Sequence, residues 1–202
     1  MTFEKQIPRI LLIGIIWGLI ELLIAPIIKS TQPALFGFLM PFITVLIILT
    51  GRYFVPAYGS VILMGIIASV MKYLLSGMVL HGAFMAILLE ALLAEIILSI
   101  FNMNLLSYIL VGISTELYSA LHPLLSKGIF CQSAHFLKFK KLLISVFDLD
   151  LSAMSRDTIS SILLITHIIF GVLAALLFIW IKKHLEIFKE KNLLNQNRNN
   201  QN

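Results

Sequence analysis

The stretch Met85–Phe101, MAILLEALLAEIILSIF, is apolar enough to enter a bilayer, yet it carries two carboxylates, Glu90 and Glu95. At the centre of a membrane helix an acid costs about 2.5–3.5 kcal/mol on the insertion scale, so two cost about 5–7 kcal/mol. The eleven Leu, Ile and Phe residues between His81 and Phe101 return roughly 0.3–0.6 kcal/mol each, about 3–7 kcal/mol together. Such a helix is near break-even alone. It enters the membrane only with neighbours that pair its acids, or beside an aqueous cavity.

The rest of the chain supplies those neighbours. Of 202 residues, 59% are hydrophobic and only 12% charged, and the mean hydropathy is +1.00. A soluble domain is nearer half apolar and a quarter charged, so an integral membrane protein is expected. Apolar runs fall at about 8–28, 34–50, 56–78, 81–101, 105–126 and 160–182, each near the roughly 17–25 residues that cross the hydrocarbon core. KSTQP, GRYFVP, SGM and NMN punctuate them, and connections this short predict antiparallel sequential neighbours. The expected fold is all-α: a six-transmembrane-helix bundle in one domain, residues 1–185. Residues 186–202, rich in Asn and Gln, read as a polar, disordered cytoplasmic tail. The first run is longer than a signal-peptide core and lacks a small-x-small cleavage site, so it is expected to stay as an anchor.

Only one connection is long, residues 127–158. Within it Phe136, Phe139, Leu143 and Phe147 share a helical stripe, with Lys138 and Lys141 off it. That predicts a short amphipathic helix between the fifth and sixth spans, lying in the interface or capping the bundle.

An even number of spans places both termini on one side. With the termini in the cytoplasm, eight cations lie inside and six outside, which favours that orientation. The +5 net charge belongs to loops and tail, so no nucleic-acid partner is expected.

The buried ionisable groups follow a pattern. Gly14, Gly18, Glu21 and Ala25 share one helical face; so do Gly65, Ser69, Lys72 and Ser76. The same spacing recurs in Ala83, Ala86, Glu90 and Ala94, in Gly112, Glu116 and Ser119, and in His167, Gly171 and Ala174. Small residues let membrane helices approach closely, so an ionisable group on the same stripe should face the bundle. Glu95 lies about 140° from Glu90 around its helix and shares a second stripe with Ala91 and Ser99. With the termini inside, Glu21, Lys72, His122 and His167 lie in the outer half, Glu90 and Glu116 near the midplane, and His81 at the outer surface. The expected result is a polar pocket open to the outside. Candidate substrate contacts are Glu21, Lys72, His81, Glu90, Glu116 and His167; the simpler use of Lys72 with Glu21, Glu90 or Glu116 is a buried ion pair that fixes packing, of His167 a core hydrogen bond, and of His81 an interfacial position.

Catalytic signals are missing. No H-E-x-x-H, G-x-S-x-G or P-loop motif is present, so neither an enzyme nor a cofactor is expected. Cys131 and His135 stand in C-x-x-x-H spacing, too common a signal to assign a metal, and the single cysteine excludes an internal disulfide.

Six helices, cytoplasmic termini, a small-residue stripe on the first helix and an outward polar pocket resemble the substrate-binding S components of energy-coupling factor (ECF) vitamin transporters. The stretch KYLLSGMVLHGAFMAILLEALLAEIILSIF, Lys72–Phe101, looks like the middle of members of that group. The resemblance implies a capture subunit in a prokaryotic cell membrane, binding a vitamin, a precursor or a related small molecule. It would work with a transmembrane coupling subunit and two ATPase subunits. Partner docking would fall on Gly14 and Gly18, where the family has an A-x-x-x-A pattern; Glu95 is the other docking candidate, on its separate face. The residues leave open an ion- or proton-coupled secondary transporter and, further off, a membrane enzyme.

Overall fold

The computed structural model describes residues 3–33, 35–77, 82–127, 134–147 and 155–199. After a short 3-10 turn at Phe3–Gln6 come α1 (Ile7–Thr31), α2 (Phe36–Phe54), α3 (Ser60–Leu75), α4 (Gly82–Phe101), α5 (Leu105–Lys127), α6 (Ala134–Phe147) and α7 (Arg156–Asn199). Among the described residues the chain is all-helical, with no strand.

Local chemistry sets the ends. Pro8 sits in the first turn of α1, where its missing N–H costs nothing. Val55 closes α2 by donating to the Gly51 carbonyl at 2.9 Å, and Pro56 follows. Asn102 takes a left-handed conformation, φ 59°, just past α4. Asn104 and Ser107 then form a reciprocal capping box on α5: the Ser107 amide donates to Asn104 Oδ1 at 2.9 Å, and the Asn104 amide to Ser107 Oγ at 3.0 Å.

Among the described residues four helical segments are long and apolar enough to cross a membrane: Glu4–Thr31, Phe36–Phe54, Phe84–Phe101 and Asp157–Lys191. This is the signature of a multi-pass membrane protein. Two of the six expected spans differ. The third, expected over 56–78, is the 16-residue helix Ser60–Leu75, about 24 Å long; the Pro56–Gly59 turn and Gly77 trim it. The fifth has the length, 23 residues, but Ser107, Ser114, Thr115, Glu116, Ser119 and His122 dilute its hydropathy.

The surface is inverted relative to a soluble protein. Leu12, Leu23, Ile27, Ile165, Ile169 and Leu173 are exposed, whereas Glu21, Glu90, Glu95, Glu116, Arg52 and His167 are buried. The stripes predicted from spacing do face inward.

Neighbour relations depart from simple sequential pairing. The most extensive packing joins α1 to α3 and α5 to α7, with α3–α4 and α4–α5 next. Glycines explain it. A Cβ on Gly112 would lie 2.1 Å from the Gly171 carbonyl oxygen, and one on Gly171 2.5 Å from that of Gly112, so α5 and α7 touch backbone to backbone. Polar contacts fix the ends: Arg9 donates to the Phe54 carbonyl at 3.5 Å, Lys189 to Tyr53 Oη at 3.3 Å, and Lys182 to Tyr108 Oη at 3.3 Å. The start of α1, end of α2, start of α5 and the C-terminal part of α7 therefore share one end of the bundle, here the terminal end.

At the opposite end, α6 contributes Phe139 and Leu143 to a cluster with Phe38, Ile159 and Leu163. These two residues belong to the stripe read from the sequence; the side chains of Phe136 and Phe147 lie outside the described residues. α7 continues past the last span through Asn199. That stretch contains no Gly or Pro to break it, and Lys182 and Glu186 pair one turn apart at 3.9 Å.

Gly112→Ala should push α5 and α7 apart and destabilise the fold by about 1–3 kcal/mol. The lipid-facing Leu173→Ala should change little. Thermal unfolding in detergent, read by size-exclusion fluorescence, checks both.

Candidate functional site

Two polar constellations occupy the interior. The first lies at the terminal end, around Glu95. Glu95 Oε1 accepts from Arg52 Nη1 at 3.1 Å, the Gly59 amide at 2.8 Å and Ser99 Oγ at 2.9 Å, and Oε2 accepts from the Val61 amide at 2.9 Å. Two of these donors are backbone amides at the start of α3, so the carboxylate of α4 caps the positive end of that helix. Arg52 also donates to Ser60 Oγ at 3.2 Å and to the Ala57 carbonyl, and both charged side chains are 6% exposed. Both carboxylate oxygens accept hydrogen bonds. Glu95, a docking candidate in the sequence, ties α4 to the α2–α3 turn.

Gly14 and Gly18 are likewise used inside the chain. A Cβ on Gly14 would come within 3.0 Å of the Met64 carbonyl oxygen, and one on Gly18 within 3.2 Å of that of Ala68. Both pack on α3.

The second constellation runs across the middle and the far half of the bundle. Lys72 Nζ of α3 donates to Glu21 Oε2 of α1 at 2.5 Å. Glu116 Oε2 of α5 meets His167 Nδ1 of α7 at 2.7 Å, with both side chains fully buried. Phe38 of α2 lies against the imidazole, ring centroids 4.3 Å apart. Between the two pairs sits Glu90 of α4, 6% exposed. It lies within electrostatic reach of Glu21, Lys72 and Glu116, and among the described residues it accepts no hydrogen bond. Glu116 Oε1, Thr115 Oγ1 and Trp17 Nε1 are also buried without hydrogen-bond partners.

A cavity of about 380 Å³ opens beside the first pair, lined by Glu21, Lys29, Phe36, Lys72, Tyr73 and Phe84 among others. It lies where α1 and α3 end and α2 and α4 begin, the end opposite the termini. Of the residues expected to share a pocket, only Glu21 and Lys72 line it; Glu90, Glu116 and His167 are packed between helices instead. His81 lies outside the described residues. A larger groove of about 530 Å³ runs between α1 and α2 past Leu12, Ile16 and Ile47. It is almost wholly apolar, with Arg9 and Thr50 its only polar residues.

Sequence reasoning found Glu21, Lys72, Glu90, Glu116 and His167 through their stripes. It missed Arg52, which reads as a loop cation, and Lys29, Phe36, Tyr73 and Phe84, which only the convergence of four helix ends brings together. Among the described residues no three His, Cys, Asp or Glu side chains converge to hold a metal ion. Comparison with known protein families, with curated proteins and with solved structures gives no match.

If Glu95 is a structural tie, Glu95→Ala should cost about 3–5 kcal/mol by stranding Arg52 in the interior. The Arg52→Ala, Glu95→Ala double variant should lose clearly less than the sum of the two single changes. A double-mutant cycle on detergent unfolding measures the difference.

Proposed function

We propose that the chain is a membrane-embedded capture protein for a small anionic, ring-containing molecule. In this reading it is the substrate-binding subunit of an ATP-driven uptake system of the energy-coupling factor type. The observation that carries the proposal is the cavity at the end opposite the termini. Its volume, about 380 Å³, is in the range of small-molecule sites. Among the described residues its charged lining is two cations, Lys29 and Lys72, against one acid, Glu21. Its walls include the rings of Phe36, Tyr73 and Phe84, with Tyr73 and Phe84 6.1 Å apart between centroids. Cations beside aromatic walls suit a flat molecule bearing a carboxylate or phosphate.

The paired Lys72 suits this role. Already held by Glu21 at 2.5 Å, its ammonium is positioned at the rim and keeps donors to offer an incoming anion. Cytoplasmic termini would make the cavity face outward, as uptake requires. The chain has no nucleotide-binding motif of its own, so ATP would be hydrolysed by partner subunits.

A second reading, proton-coupled transport by the chain alone, is favoured by the unpaired Glu90. ATP-independent uptake into proteoliposomes would select it over the first.

A thermal-stability screen of the purified protein against aromatic acids, phosphorylated vitamin precursors and nucleobases should give stabilisation by anionic members. Lys72→Ala should weaken binding of such a hit about ten- to a hundredfold, the loss of one charge-assisted hydrogen bond. Stabilisation by cationic compounds alone, or unchanged affinity in Lys72→Ala, would remove this proposal.

A further inference from the structure

The interior of the bundle holds a carboxyl group that the capture site does not use. Lys72 is matched by Glu21 and His167 by Glu116. Glu90 remains. It projects from α4, whose main neighbours are α3 and α5. Among the described residues, the charged or titratable groups that share its electrostatic field are Glu21 from α1, Lys72 from α3, and Glu116 and Tyr118 from α5. Behind Glu116 stands His167 of α7, and Tyr118 holds His122 at 3.0 Å. Among the described residues Lys72 and His167 are each held by another acid, and Glu90 has neither an ion pair nor a hydrogen bond of its own.

A lone carboxylate in so apolar a place is not sustained; it acquires a positive charge. A metal ion is the poorer occupant, because hard cations need several oxygen ligands and no such cluster exists among the described residues. A proton needs only one oxygen. The unpartnered Glu116 Oε1 and Thr115 Oγ1 add acceptor capacity on the facing helix, of the kind that buried water occupies.

We infer that Glu90 is an intramembrane proton-binding site, taking one proton from water onto a carboxyl oxygen and returning it there. The O–H bond that forms on uptake breaks on release, and no other group is consumed. The site is separate from the residues that line the cavity, and the inference stands whether or not the captured molecule is an anion.

Infrared difference spectroscopy of the full chain in lipid nanodiscs, between alkaline and neutral buffer, tests it. Wild type should show a protonated-carboxyl band at neutral pH. Glu90→Gln should lose one carboxyl's worth of that band, and Glu90→Asp should move it. Glu186→Gln, on an exposed side chain, should leave it unchanged. Should Glu90→Gln not fold, the Asp variant carries the assignment alone. A band unaltered in the Glu90 variants, or no protonated-carboxyl band at neutral pH, overturns the inference. Loss of the band on adding sodium or potassium at fixed pH also overturns it, in favour of a metal cation.

Discussion

A carboxylate cannot face acyl chains, and α4 carries two of them on opposite faces. That requirement organises the bundle. Glu95 needs donors on one side and finds them in Arg52 and the first amides of α3. Glu90 needs shelter on the other side and finds it between α3 and α5, near the Glu21–Lys72 pair. A helix with polar groups on both faces must lie between partners. α4 is accordingly packed on both sides, while its outward positions Leu92, Ile96 and Ile100 remain exposed.

The two polar constellations differ in a way that separates structure from function. Around Glu95 every acceptor is used, by an arginine, a serine and two backbone amides, and such full satisfaction makes a rigid joint. Around Glu90 the pairing is incomplete: Glu116 uses one oxygen, its neighbour Thr115 leaves its hydroxyl unmatched, and Glu90 itself has no hydrogen bond among the described residues. Groups left short of partners at this depth are costly to a fold that gains nothing else from them. The cluster around Glu95 is a joint of the scaffold, and the region of Thr115 and Glu116 holds groups with capacity to spare.

Much of this was readable from spacing alone, because small residues mark the polar stripes of a membrane helix. Glu21, Glu90, Glu116 and His167 were placed inward by their neighbours Gly18, Ala94, Gly112 and Gly171, and all four are buried. Spacing within one helix says nothing about which helix lies opposite, so neither the Glu116–His167 pair nor the Lys72–Glu21 pair could be singled out. Arg52 was hidden for a different reason: its use depends on the turn that folds Ala57 and Ser60 back over α2, a tertiary arrangement without a sequence period. The third helix was read too long because hydropathy runs on through Pro56 and Ser76, whereas backbone hydrogen bonding stops at the turns. The cavity's aromatic wall was invisible because its rings come from α2, α3 and α4, far apart in sequence.

The capture site and the proton site, if both are occupied in turn, cannot be independent. Glu90 shares an electric field with Lys72 and Glu21, and those two line the cavity. A charged molecule arriving beside Lys72 changes the potential at Glu90, and in an apolar interior that change is weakly screened. Linkage then works in both directions: whatever factor the ligand imposes on proton affinity, the proton imposes on ligand affinity. An anion and a proton, being opposite in charge, favour each other's binding. The same three side chains that let α4 enter the membrane would thereby make capture sensitive to the acidity of the side the cavity faces, with no moving part beyond one proton.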